Sequence, residues 1–351
     1  MPIRYGIIGS GMMGWEHIRN LALIDAAQVV AVADPDPGSR DVARHAAPAA
    51  RVFADYRELL RAPLDAVVVA TPNHTHAAVL RDVFATDLHV LVEKPLCTSV
   101  DDCHALADAA ARHRGIVWVG LEYRFVPTIA RLIEAVHGGA VGRLRMVAIR
   151  EHRFPFLVKV GDWNRFARNT GGTLVEKCCH FFDLMALLTR QRPVRVYASG
   201  AQDVNHLDER YDGAVPDIID NAFAVVDFDQ GARALLDLCM FAENSPNEME
   251  LAATGDAGKA EAFVPAHRLV FSRRDRLTHD EEQIAIEPAI REAGFHHGAT
   301  YYQHRAFIDA IRGGHPPLVS VADGALAVAM GLAAETSVRE RRPVALRELG
   351  F

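Results

Sequence analysis

Over its first 120 residues the chain repeats one pattern: a short run of Val, Ile and Ala, then a longer stretch with helical periodicity. The runs are IRYGIIG (3–9), QVVAVAD (28–34), DAVVVAT (65–71), HVLVEKP (89–95) and IVWVG (116–120). Helical stretches fill 12–23, the residues up to Ala46, 74–85 and 99–113. Strands this uniformly apolar have no polar face to turn to water, so both faces must be covered. Alternating such strands with helices predicts a doubly wound parallel sheet.

Beyond this point the pattern changes. Pro127 suits the first turn of a helix that ends at about His137, before the HGGAVG turn. After Arg143 come strand-like runs: LRMVAIREHR, VRVYASG, NAFAVVDF, ARALLDLCMF, NEMELAATG and HRLVFS. Their spacing predicts a large, mainly antiparallel open sheet, with helices at about 299–312 and 322–339 closing the chain. At 351 residues the chain suits two domains: 1–122 as a Rossmann domain and 123–351 as an α+β domain.

The net charge is −7 and no basic block stands out, which argues against binding nucleic acid through its phosphates. No apolar run is expected to reach the roughly 18 to 20 residues of a membrane span. MPIRYGIIG enters a strand with no leader-like segment, so a cytoplasmic location is expected. Five scattered cysteines, with no C-x-x-C among them, make neither a disulfide framework nor a zinc site, and no metal is expected. Cys178 and Cys179 read as packing residues.

GSGMMG (9–14) follows the first strand and opens the first helix. Gly9 permits a tight turn, Gly11 lets a pyrophosphate approach the backbone beside Met12 and Met13, and Gly14 permits close helix packing. Asp34, twenty residues beyond Gly14, would accept from a ribose 2′-hydroxyl and repel a 2′-phosphate, so NAD is expected rather than NADP. Thr71, Pro72, Asn73 and His76 lie at the end of another strand, where a ligand of an open parallel sheet binds. Asn73 could equally cap the next helix. Glu93 and Lys94 occupy the matching end of the strand before Pro95; the lysine could orient a substrate hydroxyl and help accept its proton, with Glu93 holding it.

GGTLVEKCCHFFDLM (171–185) places Glu176 and His180 four residues apart on a helix predicted over 174–188. That spacing puts both on one face, where they could handle a proton. Two structural roles compete with it: Thr173-x-x-Glu176 is also a capping-box pattern, and His180 could be a satisfied core histidine.

With its motifs in this order, the chain resembles the Gfo/Idh/MocA oxidoreductases, relatives of glucose–fructose oxidoreductase and inositol dehydrogenase. The resemblance spans nearly the full length through GSGMMG, TPNHTH, EKP, EYRFVP (122–127), GGTLVEKCCHFFDLM and the tail GGHPPLVSVADGALAVAMGLAAETSVRERRPV. It implies reversible NAD-dependent oxidation of a secondary hydroxyl of a sugar, cyclitol or sugar derivative. It also implies a homodimer or homotetramer joined through the C-terminal sheet. The family lysine falls on Lys94. The helix motif G-G-x-x-x-D-x-x-x-H falls on Gly171, Gly172, Glu176 and His180, with glutamate in place of aspartate. His180 is then the proton carrier, assisted by Lys94, while Glu176 orients the groups around them. Trp163 and Arg165 just before this helix, together with Tyr123, Arg124, Lys177 and His297, are candidates to hold a polyhydroxylated substrate. Two alternatives carry the same motifs: a redox-neutral NAD-dependent glycosidase or lyase working through a transient ketone, and a non-catalytic dinucleotide sensor.

Overall fold

The computed structural model describes residues 1–351, and contacts divide them into two compact units. The first comprises Met1–Phe125, Lys159–Trp163 and Glu287–Val328; the second comprises Val126–Val158, Asn164–Ile286 and Ala329–Phe351. Residues 287–328 therefore pack with the N-terminal sheet, so the units are not produced by a single cut in the chain.

The first unit is built on six parallel strands: β1 (Ile3–Ile8), β2 (Ala27–Ala33), β3 (Arg51–Phe53), β4 (Ala66–Val69), β5 (His89–Glu93) and β6 (Val117–Gly120). Their order is β3-β2-β1-β4-β5-β6. This is the expected doubly wound sheet, with its order reversing between β1 and β4, where such sheets open a crevice for ligands. Strand β3 has three residues, RVF, too few to show a period in the sequence. Helix Met12–Leu21 sits hard against β1. Gly9 has φ +91°, and a Cβ there would lie 2.5 Å from the Ala70 carbonyl oxygen; one on Gly14 would lie 2.0 Å from the Gly9 oxygen. Neither position tolerates a side chain. Late in the chain, helix Ala299–Gly313 returns to this unit and packs Phe307 edge-on against Trp118.

The second unit is a nine-stranded sheet of β7 (Leu144–His152), β8 (Pro193–Ala201), β9 (Asn221–Phe228), β10 (Arg233–Cys239), β11 (Met249–Gly255), β12 (Gly258–Val264), β13 (Arg268–Arg273), β14 (His279–Gln283) and β15 (Val344–Ala345). The order is β14-β13-β12-β11-β7-β10-β9-β8-β15, and only the β7–β10 pair is parallel. Three strands were not expected: β12 (GKAEAFV) has weak strand formers, β14 (HDEEQ) is charged, and β15 has two residues. On one face Val147, Ile149, Ala224, Val226 and Leu236 are buried beneath helices that include Pro127–His137 and Cys179–Thr189.

Two sequence expectations need correction. The first is the helix over 174–188, which is broken into Thr173–Glu176 and Cys179–Thr189, so Glu176 ends one helix and His180 lies in the first turn of the next. The capping box is also absent. Gly172 rather than Thr173 caps the helix; the Thr173 hydroxyl donates to the Ile219 carbonyl at 2.6 Å, and the Leu174 N–H donates to Glu335 Oε1 at 2.8 Å. Gly172, with φ +95°, makes room for that carboxylate, since a Cβ there would lie 2.3 Å from it. The second concerns membrane spans: helix Val321–Glu340 is long and apolar enough to cross a bilayer, though most of it is buried within the protein. Gly324 meets Val119 in the first unit, whereas Gly331 meets Val175 in the second. Its apolarity belongs to a core helix.

Burial raises the Glu335 carboxyl from 4.5 to about 7. An acid with a raised folded pKa favours the folded state below its unfolded value and loses that contribution as pH rises through the folded value. At about 1.4 kcal/mol per pH unit, up to about 3 kcal/mol is lost between about pH 4.5 and 7. Glu335→Gln keeps an acceptor for Leu174 and removes the titration. Urea unfolding at about pH 5 and pH 8 should show wild type losing stability relative to the variant as pH rises.

Candidate active site

In the first unit the carboxyl ends of β1, β2, β4 and β5 carry the residues expected to bind a dinucleotide. Helix Met12–Leu21 begins at Gly11 with no side-chain cap, and nothing lies within 4 Å of where a Gly11 Cβ would stand. Uncapped N–H groups facing open space suit a pyrophosphate. Met12 is exposed and Met13 half-buried beside them. Asp34 follows β2; its Oδ2 accepts from the Ser10 N–H at 2.7 Å and its Oδ1 from the Asp36 N–H at 2.9 Å. It thus pins the glycine turn while retaining lone pairs for a ribose hydroxyl.

After β4, Thr71 and Pro72 are half-buried, and the Thr75 hydroxyl donates to Thr71 Oγ1 or the Pro72 carbonyl. Asn73 is buried and starts a short 3-10 turn rather than capping the next helix. Its Nδ2 has no hydrogen-bond partner within the protein, an orphan donor at the rim where a ligand would supply an acceptor. His76 takes a different part from the one expected. It is fully buried, with Nδ1 at 2.8 Å from the Pro95 carbonyl and Nε2 at 2.9 Å from the Thr71 carbonyl. Burial lowers its pKa, and its ring ties the loop after β4 to the loop after β5 from beneath. The Lys94–Pro95 bond is cis. Glu93 is buried, accepts from the Lys94 N–H at 3.2 Å, and lies 2.9 Å from His17 Nε2.

Several expected substrate contacts are occupied within the same unit. Arg124 bonds the Leu318 carbonyl at 2.8 Å and pairs with Asp323 at 3.2 Å. Tyr123 is buried against the His296 ring. Trp163 is half-buried, with Lys159 Nζ 4.6 Å over its ring and His74 beside it. His297, at φ +54°, is half-buried just before helix Ala299–Gly313.

In the second unit Glu176, Lys177 and His180 are all buried. Lys177 was expected to face a ligand; instead its Nζ lies 2.7 Å from Glu151 Oε1, on β7. Arg153 pairs with Glu151 and Glu248, each at 3.3 Å. Burial, then the Arg153 charge, lowers the Lys177 pKa. Arg165 is likewise buried and committed: its Nε donates to Glu209 at 2.9 Å and its side chain reaches the Phe156 carbonyl. Cys178 and Cys179 are buried and form no disulfide, in keeping with a packing role.

Residues 3–121 match the model of the Gfo/Idh/MocA oxidoreductases, described as an NAD-binding Rossmann fold, and residues 133–346 match the family's C-terminal alpha/beta domain. The chain belongs to the Gfo/Idh/MocA oxidoreductase family. It is 27% identical to a myo-inositol 2-dehydrogenase of Thermotoga maritima, over 99% of each chain. To the scyllo-inositol 2-dehydrogenase (NAD(+)) of Bacillus subtilis it is 24% identical, over 98% of this chain and 96% of the relative. A levoglucosan dehydrogenase solved with NADH shares the fold at a TM-score of 0.86 and 20% identity, over 99% of both chains.

This Gfo/Idh/MocA oxidoreductase also buries charged groups that no spacing in its sequence announces. Glu16, Glu122 and His296 bring their ligating atoms within 4.8 Å of one another in the first unit. The Thr300 hydroxyl lies 2.9 Å from Glu16 Oε1 and 2.8 Å from Glu122 Oε2. One hydroxyl hydrogen cannot serve two carboxylates, so one acid holds a proton. That acid is Glu122, raised by burial and by the charges of Glu93 and Glu16. Glu16 is ionised: burial opposes its charge, yet His296 and the Phe295 N–H hold it down to about 2.

The Glu151–Lys177 pair has a clear signature. Lys177→Met leaves the buried Glu151 carboxylate with Arg153 as its counter-ion, and should cost somewhat less in urea unfolding than the about 3–5 kcal/mol of a fully uncompensated buried charge. The double variant Lys177→Met with Glu151→Leu should recover most of that loss.

Proposed function

We propose that this chain is an NAD-dependent dehydrogenase that oxidises a secondary hydroxyl of a cyclitol or sugar to a ketone, reversibly. The observation that carries the reading is the placement of Lys94. It follows β5 on the same sheet rim as the Gly9–Gly11 turn, Asp34 and the orphan donor of Asn73, with its backbone held by a buried carboxylate. The names of the full-length relatives in Thermotoga maritima and Bacillus subtilis support inositols as the first substrates to try. Nothing in those names favours the redox-neutral glycosidase.

When bound, NAD supplies the hydride acceptor for the alcohol carbon. The chain itself contributes position and proton control. The N–H groups at Gly11–Gly14 hold the pyrophosphate, and Asp34 accepts from a ribose hydroxyl. Lys94 orients the reacting hydroxyl. His180 takes its proton, for which an imidazole is suited near neutral pH, and Glu176 orients His180 or a substrate hydroxyl.

Purified protein should be assayed with NAD and, separately, NADP over inositols, free sugars and glycosides, with products identified by mass. Steady reduction of NAD with loss of two hydrogens from one polyol class is the expected result. Glycoside cleavage without net reduction would overturn the proposal. His180→Ala should lower kcat by about 10²–10⁴-fold while leaving NAD affinity nearly unchanged. Parallel loss of both would make His180 a structural histidine.

We also propose that two or four copies associate through the outer face of the nine-stranded sheet. Tyr197, Phe223, Val225 and Leu235 are exposed on that face, and the register sets Val225 opposite both Tyr197 and Leu235. Such a contiguous apolar patch marks an association surface. Phe223→Asp combined with Val225→Asp should give a smaller particle by light scattering with unchanged circular dichroism. An unchanged mass would remove this face from the assembly.

A further inference from the structure

Behind Lys94 lies a chain of three buried groups from three separate elements of the first unit. Helix Met12–Leu21 supplies His17, β5 supplies Glu93, and helix Ala299–Gly313 supplies His304. Both imidazoles are fully buried and Glu93 nearly so. His304 Nε2 lies 2.8 Å from His17 Nδ1, and His17 Nε2 lies 2.9 Å from Glu93 Oε1. The other Glu93 oxygen accepts from the Lys94 N–H.

The hydrogens on this chain follow from counting donors. An ionised Glu93 requires a hydrogen on His17 Nε2. If His17 also carried one on Nδ1, the single hydrogen of a neutral His304 would sit on Nδ1, which has no partner. A buried N–H without an acceptor is costly. The arrangement that avoids this has the His304 Nε2–H donating to His17 Nδ1 and the His17 Nε2–H donating to Glu93. Burial, followed by the effect of His17, holds the His304 pKa well below its ordinary value and keeps that ring neutral.

Resting on the dehydrogenase reading above, we infer that His17 and His304 are positioning residues for Lys94. They fix Glu93 as an oriented anion that anchors the Lys94 backbone and faces its ammonium with a counter-charge. The charged neighbours agree with this reading. Burial opposes ionisation of Glu93, but the hydrogen bond from His17, then the charges of Lys94 and His296, bring its pKa below the ordinary value. Glu122 also feels the Glu93 charge and holds its own proton, while burial lowers the pKa of His76. Without His17, Glu93 would lose the one side-chain hydrogen bond that holds its Oε1.

Four variants test this: His17→Leu, His17→Gln, His304→Leu and Glu93→Gln. In His17→Leu the Glu93 midpoint should rise by about one to two pH units, the effect of losing one hydrogen bond to a charged group. The kcat/KM profile should then acquire an acid limb absent from wild type, with activity recovering as pH rises. His17→Gln, whose amide can still donate to the carboxylate, should restore much of the wild-type profile. His304→Leu should move the limb in the same direction by less, and Glu93→Gln should be impaired at every pH. A merely structural role would lower all profiles in parallel, and that outcome, or full activity in Glu93→Gln, overturns the inference. The Glu93 carboxyl carbon, assigned by its loss in Glu93→Gln, is followed by NMR in the full-length protein. A Glu93 midpoint unmoved by His17→Leu overturns the inference whether or not a substrate has been found. Failure of wild type on every polyol would instead overturn the dehydrogenase reading alone.

Discussion

The first unit depends on how closely two pieces of backbone approach each other at the end of β1. Gly14 rides on the Gly9 carbonyl at a separation no Cβ could share, and Gly9 itself turns with positive φ against Ala70. Because the helix lies so near the strand, its unpaired N–H groups face the crevice at the sheet's switch point. The Asp34 carboxylate then locks the turn through Ser10. A larger residue at either glycine would push the helix away and remove the N–H cradle with it. The same approach carries Glu16 and His17, one turn further on, into the interior beside Glu93 and Glu122.

Those consequences were unevenly legible in the sequence. Strands β1, β2, β4, β5 and β6 are apolar on both faces, so their existence and parallel pairing followed from composition and spacing alone. The three-residue β3 and the charged β14 carry no such period. In the second unit β12 alternates alanine with charged or aromatic residues, and only its neighbours β11 and β13 make it a strand. The helix break after Glu176 was hidden for a different reason. Thr173-x-x-Glu176 has the local form of a capping box, but Thr173 lies inside the helix with its hydroxyl on the Ile219 carbonyl, and a carboxylate 159 residues beyond Glu176, Glu335, takes a first-turn N–H, that of Leu174. Local pattern yielded to a tertiary partner, and the glycine pair before it makes sense only with that partner present.

The candidate site shows the same division. Residues whose role is fixed by the backbone (Gly9, Gly11, Gly14, Asp34, Lys94) stand where their motifs implied. Side chains chosen for their chemistry fared less well: Arg124, Arg165, Lys177 and His76 are each engaged by groups of their own unit. A long cationic side chain near a site is as readily a strut as a ligand contact, and sequence alone cannot tell which acid it meets. Conversely, His17, His304, Glu16 and Glu122 come from distant parts of the chain, so no motif could group them.

Burying so many ionisable groups is costly unless each charge is matched, which leaves few permissible proton arrangements. In the first unit one acid near Thr300 is neutral, one is ionised against His296, and Glu93 is ionised against His17 and Lys94. Changing any one of these states strands a charge or an N–H in the interior, so the set behaves as a single rigid assignment. Such rigidity holds the lysine and the row of peptide N–H groups at the sheet rim in fixed positions. Their geometry is then set before any ligand arrives, and binding energy need not be spent on ordering them.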